Sequence, residues 1–210
     1  MKKRLNDEFD DDEKNEFIID LFNNNNNIIK RKENKIYLFG VIDEKTAFST
    51  IAIINEICDE LDSSKKEGIE LGYNDIEIHL NSEGGIVYDA LAIFDVIKKI
   101  ERKFDIKIYC IGKIMSAALL ILSAGTKGLR FAGKNTTFML HQVQTQTMGN
   151  QSDAENELKE SKRLQNLYIE LISKNSNLSK KDLSNIIQSG KNSYFTSKQA
   201  LEMGLIDYIS

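Results

Sequence analysis

Ile76-Glu77-Ile78-His79-Leu80-Asn81-Ser82-Glu83-Gly84-Gly85, then Tyr88–Ile100, then Ile106-Lys107-Ile108-Tyr109-Cys110-Ile111-Gly112, is the stretch whose pattern decides the fold. Ile76–Leu80 alternates apolar and polar residues, the period of a half-buried strand, and the glycine pair after it marks a turn. Tyr88–Ile100 places Leu91, Ile93, Phe94, Val96, Ile97 and Ile100 at helical spacing, and Ile106–Ile111 is a second strand, closed by Gly112. Ser116–Ser123 reads as a buried helix ending at Gly125, and Thr137–Leu140 as a strand that delivers His141 at its end. Strands alternating with helices of this length predict βαβ units and a mainly parallel sheet, hence an α/β chain.

The same reading extends outward. Ile36–Phe39 is a strand with a turn at Gly40, and Thr46–Leu61 is an amphipathic helix with Thr46 as its N-cap. Downstream, a polar stretch Gln142–Ser152 precedes a long amphipathic helix over Asp153–Lys174. Shorter helices follow over Lys180–Gln188 and Ser197–Met203. Residues 1–34 differ in kind: an acidic run, Asp10–Glu13, and the homopolymer Asn23–Asn27 bury too little surface to offset the entropy of ordering. They are expected to form a flexible N-terminal segment, with a short helix over Glu16–Phe22 as the alternative, ahead of a domain spanning 35–210.

Composition excludes several classes of function. The 210 residues carry a formal charge of −4, which argues against a nucleic-acid binder held by a basic surface. Hydrophobic residues make up 41%, enough for a packed core. The longest apolar run, Ala117–Leu122, is far short of a bilayer span, and the basic start Met1–Arg4 leads into no apolar segment of the signal-peptide kind. Cys58 and Cys110 sit singly in apolar patterns, so two buried thiols are expected in place of a disulfide framework. Two cysteines and two histidines with no close pair build no zinc site. The expectation is an intracellular protein with no metal.

Three positions can carry chemistry. Ser116 follows a strand and a glycine turn and opens an apolar helix, where free N–H groups favour developing negative charge, although a capping serine also fits there. His141 stands at a strand end where a loop begins. Gly84-Gly85 allows close backbone approach, as an oxyanion hole or a phosphate cradle requires, and equally fits a tight turn. His79, inside the alternating strand, is expected to pack or face the surface. No G-x-S-x-G, Walker A or G-x-G-x-x-G pattern is present.

Asn81–Gly85, Gly112–Ala118, Ala124–Gly128, Met139–Gln142 and Ala200–Asp207 occur in the order and spacing of the proteolytic subunits of the Clp protease, and over Lys35–Ile209 the chain resembles that family, ClpP. The resemblance implies a ClpP/crotonase-like fold of stacked βαβ units with a protruding helix-strand handle. It also implies a serine endopeptidase that hydrolyses unfolded polypeptides inside two stacked heptameric rings. An AAA+ Clp ATPase feeds such rings; it spends the ATP, so this chain needs no cofactor. By position Ser116 is the implied nucleophile and His141 the general base, with Gly85 and Ala117 supplying the oxyanion-hole amides. Gln142–Ser152 and the helix after Asp153 resemble the handle, where Gln144, Gln146 and Gly149 offer backbone to the opposing ring and to substrate.

The chain also departs from that pattern. Glu83 and Val143 stand where the family usually has proline, and Lys113-Ile114-Met115 replaces small residues before the nucleophile. Asn192 falls where the family's triad aspartate is expected. Two alternatives therefore stand beside the active peptidase: a weakly active or inactive ClpP-like ring subunit, and a crotonase-type acyl-CoA enzyme. Leu158, Leu164, Leu167, Tyr168, Leu171 and Ile172 on the long helix, with Phe94 and Ile97, suggest burial between subunits as well as within one. The expected setting is cytoplasmic, with no membrane and no nucleic-acid partner.

Overall fold

The computed structural model describes residues 27–145, 149–188 and 191–210. Its elements in chain order are β1 Ile28–Lys32, β2 Lys35–Ile42, α1 Glu44–Glu67, β3 Ile76–Gly85, α2 Val87–Ile100, β4 Ile106–Met115, α3 Ala118–Ala124, β5 Arg130–Ala132, β6 Thr137–Leu140, α4 Gln151–Lys174, α5 Lys180–Gln188, β7 Ser193–Thr196, α6 Ser197–Glu202 and β8 Tyr208–Ile209. Strands β2, β3, β4, β5 and β8 lie side by side and parallel, and β1 closes one edge as an antiparallel hairpin with β2. The predicted parallel α/β architecture is present.

Period-2 patterning assigns the two faces of this sheet. Ile36, Leu38, Ile76, Ile78, Leu80, Ile106, Ile108 and Cys110 point inward and join Ile54, Ile57, Ile93, Ile97 and Leu119–Leu122 of the helices in one buried cluster. The residues between them make an aromatic row on the other face. Tyr37, His79, Tyr109, Phe131 and Tyr208 stack ring on ring across five strands, with centroids 4.8 to 5.4 Å apart. His79 is thus a packing residue, and burial lowers its pKa against the opposing pull of Glu77.

The sheet changes partner part-way along its strands. Register shifts occur in β2 between Phe39 and Val41 and in β3 between Leu80 and Ser82, level with Gly112 of β4. Gly112 has φ 70°, and a side chain there would meet the Asn81 amide at 2.8 Å. Before this bend β4 pairs with β5; after it, Lys113–Met115 pairs with Thr137–Met139 of β6, and β6 pairs antiparallel with β7. The bend therefore carries the end of β4 to the end of β6, where His141 begins a loop.

Several sequence expectations shift here. Gly40 and Gly112 do not end their strands; β2 and β4 run through them, and β3 continues past Leu80 to end at Gly85. Helix α1 starts earlier than expected, at Glu44, because Asp43 is the cap and accepts from the Thr46 N–H at 2.8 Å. The proposed flexible segment 1–34 overlaps the fold, since Ile28–Lys32 is a paired strand; residues 1–26, including the possible helix over Glu16–Phe22, lie outside the described residues. Phe94 and Ile97 fill the chain's own core and are not free to meet a neighbour.

Arg130, 2% exposed, ties the C-terminal elements to the sheet. Its guanidinium bonds both carboxylate oxygens of Asp207, the Asn175 carbonyl at the end of α4 and the Gly204 carbonyl after α6. Burial alone would raise the Asp207 pKa; hydrogen bonds and charge from Arg130, with the N–H groups of Arg130 and Gly128, outweigh it and hold the carboxyl below its ordinary value. A depressed folded-state pKa means the stabilisation is fully present above the unfolded carboxylate range and is lost as pH falls through the folded value. Asp207→Asn, which leaves Arg130 buried and unpaired, is expected to cost about 3 to 5 kcal/mol at neutral pH, read from the urea unfolding midpoint. That deficit should shrink on acidification, and a variant with the wild-type midpoint at pH 7 would contradict this account.

Candidate active site

Ser116 is the residue at which β4 hands over to α3, and its backbone is left-handed, with φ 53°. Such a conformation costs a non-glycine residue about 1–3 kcal/mol and persists only where its surroundings fix it. Three bonds do so: its N–H donates to the Met139 carbonyl of β6 at 2.9 Å, and its carbonyl accepts from the Leu119 N–H and from the Tyr168 hydroxyl, each at 3.0 Å. Gly84 lies directly behind it; a side chain there would be 2.7 Å from the Ser116 Cβ. The capping reading of Ser116 fails, because Ala117 occupies the N-cap of α3 and no side chain caps that helix.

The freed hydroxyl points at the histidine. Ser116 Oγ lies 2.7 Å from His141 Nε2. Burial lowers the His141 pKa, and no neighbouring charge offsets it, so the ring is neutral at pH 7 and its Nε2 is able to accept the serine proton. Ser116, Ala117, Gly84, Gly85, Val41, Met139, His141 and Tyr168 line one cleft of about 310 Å³. Ala117 N–H makes no hydrogen bond among the described residues, which leaves it available to a ligand oxygen. Gly85 must be glycine, since a side chain there would strike the Ile42 carbonyl oxygen at 2.0 Å. This constellation suits base-assisted attack on a carbonyl carbon beside backbone amides.

Comparisons with known proteins give the family. Residues 23–210 match the Clp protease family. The chain belongs to that family. Among curated relatives it is 32% identical over 178 residues to an ATP-dependent Clp protease proteolytic subunit of Carsonella ruddii, covering 85% of this chain and 84% of that one. It is 31% identical to ATP-dependent Clp protease proteolytic subunit 2 of Frankia casuarinae, over 85% and 76% of the two chains. A solved structure, an asparagine-to-aspartate mutant of ClpP1 from Listeria monocytogenes, superposes with a TM-score of 0.70 at 25% identity, over 85% of this chain and 91% of that one.

With Clp protease membership shown, the departures of this chain acquire structural meaning. Glu83, which lines the cleft, forms an ion pair with Lys113 at 2.7 Å. Ile114 is fully buried, so the altered wall before Ser116 is a packed one. Continuing the β6–β7 register one step beyond Leu140 and Ser193 places Asn192 opposite His141. Yet Asn192 is exposed, and its amide donates to the Tyr194 hydroxyl at 3.4 Å; among the described residues nothing hydrogen-bonds to His141 Nδ1. The expected third member is therefore beside the pair without being joined to it.

Helix α4 behaves as a handle would. A capping box between Asn150 and Asp153 starts it, residues 151–163 are mostly exposed, and Leu164, Tyr168, Ile169 and Ile172 anchor the second half to the body. Gln146 lies outside the described residues. Tyr168 was visible in the sequence only as part of an apolar stripe, although a buried tyrosine hydroxyl always needs a partner, which was the available signal. Among the described residues no His/Cys/Asp/Glu group could hold a metal, and no helix is long and apolar enough to cross a membrane.

Two outcomes follow for the pair. The acid limb of kcat/KM on a short fluorogenic peptide should have its midpoint below the ordinary histidine value of 6.5, because burial favours neutral His141. Asn192→Ala should leave both plateau and limb unchanged, since no bond to His141 is lost. Asn192→Asp places a charge opposite the imidazole and should move the limb to higher pH. A tenfold loss in Asn192→Ala would show that Asn192 does orient His141.

Proposed function

We propose that this chain acts as a ClpP-type serine endopeptidase with Ser116 as nucleophile, His141 as general base, and the amides of Gly85 and Ala117 as oxyanion donors. The 2.7 Å approach of Ser116 Oγ to His141 Nε2, at a serine whose backbone is held left-handed, carries the reading. His141 Nε2 takes the hydroxyl proton as Oγ bonds to the peptide carbonyl carbon. The carbonyl oxygen becomes the oxyanion facing the two amides. His141 then returns the proton to the departing amine as the C–N bond breaks, leaving an acyl-serine. Water, deprotonated by the same imidazole, attacks that ester, and the proton passes back to Ser116 Oγ as the acid leaves.

The family assignment supports polypeptide substrates, an oligomeric ring and delivery by a Clp ATPase, and it sets aside the acyl-CoA alternative. Heptameric rings stacked in pairs, within the cytoplasm, complete the proposal. Phe48, Ile86, Tyr88 and Leu158, each more than half exposed, are apolar side chains that contacts between ring subunits would cover. The unjoined Asn192 favours one further reading, a weakly active subunit that works beside a more active paralogue.

Labelling by a fluorophosphonate probe separates these readings. The wild-type chain should label and Ser116→Ala should not; a wild-type chain that stays unlabelled would exclude an activated serine. Sedimentation should show a species many times the 23.9 kDa monomer, and a stable monomer at micromolar concentration would exclude the ring.

A further inference from the structure

Tyr168 stands outside the serine–histidine pair, yet its hydroxyl reaches into the same turn. It comes from the anchored half of α4, is 3% exposed, and donates to the Ser116 carbonyl, a residue 52 positions away, at 3.0 Å. Desolvation pushes the phenol pKa far above its ordinary value, so the group is a neutral O–H donor throughout any working pH range. One turn earlier on the same face, Gln165 accepts the Val143 N–H at 2.7 Å and so fixes the segment just after His141.

The carbonyl that Tyr168 holds belongs to the Ser116–Ala117 peptide. That unit is planar and trans, so its C=O and its N–H point in opposite directions. Fixing the carbonyl toward α4 fixes the Ala117 N–H toward the cleft, where it has no protein acceptor among the described residues. The left-handed Ser116 places this peptide plane where no regular helix would put it, so the Leu119 N–H alone shares the task.

We infer that Tyr168 is a positioning residue that orients the Ala117 amide for the oxyanion through its hydrogen bond to the Ser116 carbonyl. The inference rests on the serine peptidase reading above. An oxyanion contact is made in the transition state and not in the ground state, so loosening it lowers kcat and leaves KM nearly alone. Because Tyr168 does not touch His141, the pH limb should stay where it is.

The test is Tyr168→Phe, which deletes one oxygen and keeps the ring in the core. Turnover of a fluorogenic peptide should fall about 10- to 100-fold, with KM within about threefold of wild type. Inhibition by a peptide boronate, whose tetrahedral adduct occupies the oxyanion position, should weaken in parallel, while the cleavage-product peptide binds as before. Unchanged kcat and boronate affinity would overturn the inference, and so would a loss confined to KM. A variant that no longer reached the wild-type sedimentation coefficient would also overturn it, by making Tyr168 a structural residue. Absence of Ser116-dependent labelling in the wild-type chain would instead defeat the underlying peptidase reading, so the two failures are distinguishable.

Discussion

The left-handed backbone of Ser116 is the constraint on which the site depends. A strand that simply ran into a helix would leave this serine as an ordinary cap, with its hydroxyl turned to the helix N–H groups. At φ 53° the side chain instead leaves the helix axis and meets His141. The cost of about 1–3 kcal/mol is offset by three hydrogen bonds to Ser116's own backbone and by the shape of Gly84, which leaves room for the turn. Those bonds come from β6, α3 and α4. Displacing any one of these elements would loosen the same residue.

The bend in the sheet is what brings those elements together. Were β4 straight, its end would continue alongside β5, and Ser116 would lie far from β6. Gly112, with a register shift in each neighbouring strand, redirects the final residues of β4 onto Thr137–Met139. Ser116 and His141 then sit at the ends of two adjacent parallel strands, each followed by a change of direction. That is the location at which α/β sheets ordinarily bind ligands, outside the carboxyl ends of their strands. Before the bend, where β2, β3, β4, β5 and β8 run side by side, five rings stack across the sheet from Tyr37 to Tyr208.

How much of this was legible differs by element. The period-2 strands Ile76–Leu80 and Ile106–Ile111 and the helix over Tyr88–Ile100 were readable because each buries one face, and burial writes itself as periodicity. The extensions of β3 through Gly85 and of β4 through Met115 were not, since a glycine that serves a bend in a strand looks the same as one that ends it. β5, β7 and β8 are too short to show alternation, and β1 follows directly on a run of asparagine that marks no boundary. Ser116 and His141 were found by their places within family blocks; local sequence allowed a cap and a structural histidine. The hydroxyl of Tyr168 and the ion pair of Glu83 with Lys113 join residues distant in sequence, and no local pattern announces them.

Asn192 decides how capable such a pair can be. Replacing the aspartate of a serine-protease triad by asparagine lowers turnover about 10⁴-fold, and the loss comes from the tautomer: an amide that donates to Nδ1 forces the ring proton onto Nε2, where the serine needs an acceptor. Here the Asn192 amide donates to Tyr194 instead, and His141 Nδ1 receives no protein hydrogen bond among the described residues. The ring is therefore free to keep its proton on Nδ1 and leave Nε2 open toward Ser116 Oγ. What the site lacks is the carboxylate charge that would stabilise the imidazolium as it forms, and burial adds to that deficit. In the proposed mechanism the missing charge raises the barrier to proton transfer but does not block it, so the burden shifts to the proposed oxyanion amides of Gly85 and Ala117. The Ala117 amide of that pair is oriented by the peptide plane that Tyr168 holds, and beside an unjoined Asn192 that bond matters more than it would in a complete triad.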